Sequence, residues 1–208
     1  MNRSTAFLTI GIVMISAGFA IAGVTYFPVV RDEVGFRLHA PRTDVTVKTG
    51  SQLNQAGNGV IYPVDEEFSL VIPKIGANSK VIADVDPFDS KQYQQALTKG
   101  VAHARGTSLP GQPGNIFLFS HSSVNFFEAS RYNSIFYLLN KMEPGDEIFI
   151  VFKGTVYKYS VTDRAIVPAH DVTYLKGSGS GQTLTLMTCW PAGTTLKRLV
   201  VQASQEES

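Results

Sequence analysis

Hydrophobic and polar positions change rhythm twice along this chain. From Ala6 to Val30 there is no charged side chain, and besides Tyr26 only Thr9, Ser16 and Thr25 are polar. About 20 apolar residues wound as a helix match the hydrocarbon core of a bilayer. Arg3 and the amino terminus precede the run, whereas Arg31 is followed at once by Asp32 and Glu33. This bias predicts a transmembrane signal-anchor over residues 1–30, with the amino terminus cytoplasmic and the rest of the chain outside a cell membrane it crosses once. Ala20-Ile21-Ala22 also fits a small-x-small cleavage pattern, but the apolar run continues past it to Val30, which favours an uncleaved anchor.

The next stretch, 31–66, has no sustained period and holds Gly50, Asn54, Gly57, Asn58 and Gly59 among mixed charges. It reads as an extracytoplasmic tether, with a weak strand pattern over Arg37 to Val47 and poor order expected from Ser51 to Gly59. Beyond it the alternation turns to period two. Strands are predicted over Phe68–Pro73, Lys80–Ala83, Gly100–Ala102, Asn115–Ser120, Glu147–Phe152, Val156–Val167, Thr183–Thr188 and Arg198–Ala203. Lys153-Gly154 marks the clearest hairpin turn, and short helices are predicted over Ser90–Leu97 and Ser134–Lys141. Many short strands with Gly/Pro turns give an all-β class, a closed sheet or a sandwich.

Composition narrows the partners. With 208 residues, 44% of them hydrophobic, and a formal charge of +1, the chain supports one good core plus appendages and gives no case for nucleic acid. The one cysteine rules out an internal disulfide, and no Cys/His spacing suits zinc.

That cysteine, Cys189, ends the apolar run Thr183 to Thr188, and Arg198 opens a second run, Leu199-Val200-Val201. A thiol becomes a strong nucleophile as thiolate, a form that nearby cations favour, so a lone cysteine near Arg and His is a candidate active site. A small buried hydrophobe is the competing reading.

Thr185-Leu186-Met187-Thr188-Cys189 with the downstream Arg198-Leu199-Val200-Val201 resembles the signature of the sortases, membrane-anchored cysteine transpeptidases of bacterial surfaces. The resemblance extends to Leu70-Val71-Ile72-Pro73-Lys74-Ile75-Gly76, to Gly100-Val101-Ala102-His103, to Gly106 through Asn115 leading into Ile116-Phe117-Leu118-Phe119-Ser120-His121, and to Leu139 followed by Pro144-Gly145-Asp146-Glu147-Ile148. It implies a closed eight-stranded sortase-type β-barrel over residues 67–208. It also implies cleavage of a Leu-Pro-x-Thr-Gly-like signal through a thioester, and joining of the substrate protein to a cell-surface amine. Implied partners are surface proteins bearing a C-terminal sorting signal and an amine acceptor of the envelope or of another protein. Cys189 would be the nucleophile, His121 the general acid and then base, and Arg198 the stabiliser of the oxyanion or of substrate carbonyls. Thr188 would add a substrate-binding hydroxyl, against the alternative of a threonine packed by its methyl.

Among the other histidines, His103 is the rival, while His39 falls in the tether and His170 in a loop. No orienting carboxylate is evident; Asp163 and Asp171 stay open. The loop from Ala169 to Gln182, with Tyr174 and Leu175, corresponds to one that closes over the sorting signal in sortases, and a plain connector is the other reading. Phe126 and Phe127 would line the groove or the core. No cofactor is implied, and Glu66, Glu67, Asp84, Asp86 and Asp89 look scattered rather than built for calcium, on which dependence is left open. A class D or class E enzyme is preferred over the pilus-polymerising subclass. Two alternatives stand beside the transpeptidase: a cysteine peptidase or hydrolase using the same site, and a non-catalytic membrane-tethered peptide-binding barrel.

Overall fold

The computed structural model describes residues 3–38, 45–49, 59–122, 135–176 and 181–206. The chain divides into two units, Met1–Ala40 and Pro41–Ser208. The first is one helix, α1 (Arg3–Leu38), of 36 residues, longer than the predicted segment. Large apolar side chains are exposed along it, from Val34 at 44% to Phe19 at 76%. Among the described residues no helix is long and apolar enough to cross a membrane.

The second unit is a closed barrel of eight strands: β3 (Phe68–Ile72), β4 (Ala77–Val85), β5 (Val101–Ala104), β6 (Gly114–Phe119), β7 (Glu147–Phe152), β8 (Thr155–Pro168), β9 (Gln182–Trp190) and β10 (Lys197–Gln205). Around the barrel they run β3-β4-β5-β6-β9-β10-β8-β7 and back to β3. The pairs β4/β5 and β6/β9 are parallel; the rest are antiparallel. Parallel neighbours need a crossover, and α2 (Ser90–Leu97) supplies the first of them. Asp89 caps it by accepting from the Lys91 and Gln92 amides at 3.0 and 3.2 Å, and Ala96 and Leu97 bury its inner face.

The period-two pattern places alternate residues inside. Leu70, Ile72, Ile116, Leu118, Ile148, Ile150, Leu184, Leu186, Leu199 and Val201 fill the barrel. Phe117, Phe119, Ala102 and Ala104 form a second layer with α2 on the outer face. At the Lys153-Gly154 turn both residues have positive φ, 49° and 77°, as a tight hairpin of matching twist demands. Gly100 is required by space. A Cβ there would come within 2.2 Å of the Lys80 carbonyl oxygen, so the start of β5 can lie beside β4 only without a side chain.

The structure departs from the sequence reading in two places. The helix expected over 134–141 is instead a 3₁₀ turn, Tyr137–Lys141. Phe136, Leu139 and Met142 are all fully buried, and their spacing of three suits the eclipsed faces of that tighter winding. The region expected to be a tether, in turn, contains strands β1 (Thr46–Val47) and β2 (Val60–Ile61), paired in parallel as a ribbon. Val47 and Ile61 pack on Val71, Phe149, Val151 and Val156 of the barrel's outer face. Two-residue strands are too short to leave a periodic signature, and only the surface they cover explains them. Asp65 fixes the turn into β3 by accepting from the Glu67 and Phe68 amides at 2.7 and 3.1 Å and pairing with Lys80 at 2.6 Å. The predicted poor order of Ser51 to Gly59 falls, but for Gly59, outside the described residues.

The ribbon should therefore stabilise the barrel. Val47 is 5% exposed, and Val47→Ala, which removes two buried carbons, should lower the unfolding free energy by roughly 1 to 3 kcal/mol. A chain begun at Asp65 should unfold at lower urea than one begun at Pro41; coincident transitions would mean that the ribbon contributes nothing.

Candidate active site

β9 is held on both sides, by β6 in parallel and by β10 in antiparallel register. The β9/β10 register sets Arg198 directly opposite Cys189. Opposed residues in a sheet point to the same face, so thiol and guanidinium project together. That face is the outer one, because Met187, two positions before Cys189, packs with the outer cluster of Phe117 and Phe119, while Leu186 and Leu199 fill the barrel.

On the other side, the last β6/β9 pair is Phe119 with Met187. Beyond it, the Ser120 amide donates to the Met187 carbonyl at 3.2 Å, and the Thr188 hydroxyl donates to the Ser120 carbonyl at 2.8 Å. His121 follows Ser120 in the chain as Cys189 follows Thr188. The structure thus brings three predicted residues, His121, Cys189 and Arg198, to adjoining strand ends, each half-buried. Arg198 Nη1 donates to the main-chain oxygens of Thr195 and Lys197 at 3.2 and 3.0 Å, which ties the guanidinium to the connection preceding β10.

Thr188 sits differently from the other three. It is 2% exposed and its single hydroxyl hydrogen is committed to Ser120, so the donor expected for a bound peptide is already engaged in aligning the residue before His121.

His103, the rival, is 3% exposed and built into the structure. Its Nδ1 accepts the Asp84 amide at 3.4 Å, and its Nε2 lies 3.0 Å from both the Ser108 carbonyl and the Thr107 hydroxyl. That hydroxyl donates its hydrogen to the Ala104 carbonyl, so Nε2–H is the donor to it and the ring is neutral. Burial holds His103 below its ordinary pKa of 6.5, against the opposing pull of the Ser108 carbonyl and the Asp84 charge. His170 is exposed and His39 lies outside the described residues.

Neither open carboxylate lies in this register. Asp163 pairs with Gln202 well along β10, and Asp171 accepts from the Thr173 amide and hydroxyl at 3.0 and 2.5 Å. Asp84 and Asp86, read as scattered, both pair with Arg105, at 3.2 and 3.4 Å. Among the described residues no group of three or more His, Cys, Asp or Glu could hold a metal ion.

The 169–182 loop begins with a 3₁₀ turn, Thr173–Lys176, whose Tyr174 and Leu175 pack on the outer cluster that includes Phe119 and Met187. Sequence reading gave Asn115 no role, yet its amide reaches this turn. Met187 and Phe119 were legible only as strand positions, since periodicity does not tell which face a turn will cover. Phe126 and Phe127 lie outside the described residues.

Residues 70–206 match the family model of the sortase domain. The chain belongs to the sortase family. It is 24% identical over 201 residues to sortase D of Bacillus subtilis (strain 168), an alignment that covers 90% of this chain and 93% of that protein. The structure of sortase C-1 from Actinomyces oris superposes with a TM-score of 0.58 at 28% identity, covering 70% of this chain and 76% of the other. That of the sortase D5 transpeptidase from Clostridium perfringens gives 0.55 at 22%, covering 76% and 86%, a likeness of fold. The eight-stranded barrel is the sortase fold, and the family makes this sortase an enzyme of the transpeptidase kind.

The neutral, buried His103 has a consequence for stability. Its depressed folded pKa means that the unfolded chain binds the proton more readily, so this contribution is fully present above about pH 6.5 and is lost as pH falls toward the lower folded value. In urea titrations between about pH 7 and 5, His103→Gln should flatten the decline in unfolding free energy relative to wild type. Parallel declines would show that His103 is not a source of the acid sensitivity.

Proposed function

We propose that this sortase is a membrane-anchored cysteine transpeptidase that cleaves a Leu-Pro-x-Thr-Gly-like signal near the C-terminus of surface proteins and transfers the new acyl end to an envelope amine. The observation that carries the reading is the pairing of Arg198 opposite Cys189 on β9 and β10, with Ser120, the residue before His121, bonded to Met187 and Thr188 of β9.

Cys189 as thiolate attacks the scissile carbonyl carbon. The C–S bond forms, the C–N bond breaks, and His121 gives its proton to the departing amine. The incoming amine then attacks the thioester, His121 takes up its proton, and the C–S bond breaks to free the thiolate. Arg198 donates to the oxyanion of each tetrahedral state, a task suited to a permanent charge with a fixed fork of N–H groups. Thr188 acts one step back, holding Ser120 and so the approach of His121 to the sulfur.

The long uncharged run in α1, Ala6 to Val30, supports the anchor with the barrel outside the cell membrane. Near whole-length similarity to sortase D supports a class D-like enzyme.

The test is mass spectrometry of the full chain in detergent micelles with sorting-signal peptides and either glycine-based or diaminopimelate-type amines. An amide-exchanged product is expected, lost in Cys189→Ala. Arg198→Ala should reduce kcat/KM roughly a hundredfold to a thousandfold, with Arg198→Lys keeping the charge but recovering only part. Hydrolysed peptide without exchange in the presence of every amine would point to the peptidase instead, and no thioester with any peptide would remove the enzymatic reading.

A further inference from the structure

Asn115 stands at the start of β6, 5% exposed, with every hydrogen-bonding position of its side chain filled. Its Nδ2 donates to the carbonyls of Tyr174 and Leu175 at 3.1 and 3.2 Å. Its Oδ1 accepts the hydroxyls of Thr183 and Thr185 at 3.1 and 3.0 Å. The orientation of the amide follows from its neighbours, because main-chain carbonyls can only accept.

The two halves of this amide serve different things. Oδ1 bonds to β9 next to a β6/β9 ladder that already runs from Gly114/Gln182 to Phe119/Met187, and it adds to the barrel wall. Nδ2 adds nothing to the wall. Both of its bonds go to consecutive carbonyls of the Thr173–Lys176 turn, and the Gly114 amide ties the far side of the same loop through the Gly181 carbonyl at 3.1 Å. Held this way, Tyr174 and Leu175 lie against the outer cluster that includes Phe119 and Met187. Met187 is two residues from Cys189 on the same face, about 7 Å along a strand. A peptide whose scissile carbonyl meets Cys189 has its neighbouring residues on the outer face that also carries this turn.

We infer that Asn115 is a positioning residue for substrate, its amide nitrogen fixing the 173–176 turn on the face that carries Cys189 so that the sorting peptide binds a preformed wall. This rests on the transpeptidase reading above. A preordered turn spares the peptide the cost of ordering it, so the effect belongs in binding rather than in the chemical step.

Asn115→Asp separates the halves, since a carboxylate still accepts from both threonines but cannot donate to the turn. Thr185→Val is the complement, weakening the wall while leaving Thr183 and the turn bonds. In the full chain, Asn115→Asp should raise KM for the sorting peptide about tenfold with kcat within threefold, and should speed amide hydrogen exchange across 171–176. Thr185→Val should lower the melting temperature with KM unchanged. Unchanged exchange in Asn115→Asp overturns the clamp. Faster exchange with an unchanged KM, or an equal rise of KM in Thr185→Val, overturns the positioning role. A wild-type chain that turns over no sorting peptide overturns the proposed function on its own, and the exchange comparison still decides whether Asn115 holds the turn.

Discussion

The parallel pairing of β6 with β9 is the constraint on which the rest depends. It closes the barrel, since β9 bridges the half begun by β3 and β4 to the half made by β8 and β10. It also decides the chemistry, because the two strands run in the same direction and their ends lie side by side at one rim. An antiparallel pair in the same place would set the end of β6 against the start of β9, and the imidazole and thiol would sit at opposite ends of the barrel. The Thr188–Ser120 bond extends the alignment one residue beyond the ladder, to the point where it serves the site.

A closed barrel has no free strand edge, and its core is complete without any functional residue. What varies is the cover on the outer face. The ribbon of β1 and β2 covers β3 and β7, and α2 with the 173–176 turn covers β4, β5, β6 and β9. Cys189 and Arg198 lie past the end of that cover and keep partial exposure. His103 shows the contrast. It lies at the end of a strand too, but under Phe68, with ring centroids 5.8 Å apart, and with both nitrogens engaged, so it is part of the packing.

Much of this was legible in the sequence, for physical reasons that differ by element. Strand β7 and helix α2 were found to the residue, because a strand bounded by Gly-Asp and Lys-Gly and a helix capped by Asp89 declare their ends locally. The turn at 137–141 read as a helix because buried positions three apart suit either winding. Of the β1/β2 ribbon only a weak strand pattern ending at Val47 was visible, because its reason for existing is the outer face of strands far away in sequence. At the site, the residue types of Cys189, Arg198 and His121 were visible, but their adjacency is a property of register. Thr188 was read as a substrate-binding hydroxyl and Asn115 only as a strand residue, because a hydrogen-bond partner some 68 or 60 residues away leaves no local mark.

The length of the crossover between β6 and β9 bears on how the protein is made. Ser120 and Thr188 are 68 positions apart, and β7, β8 and the connections between them must be in hand before the two meet. Pairings of such sequence separation form late, after local hairpins such as β7/β8. A chain still being synthesised therefore carries its cysteine with neither the imidazole nor the guanidinium beside it. The site is withheld by topology until the last strands are delivered, and a half-made molecule has its residues but not their arrangement.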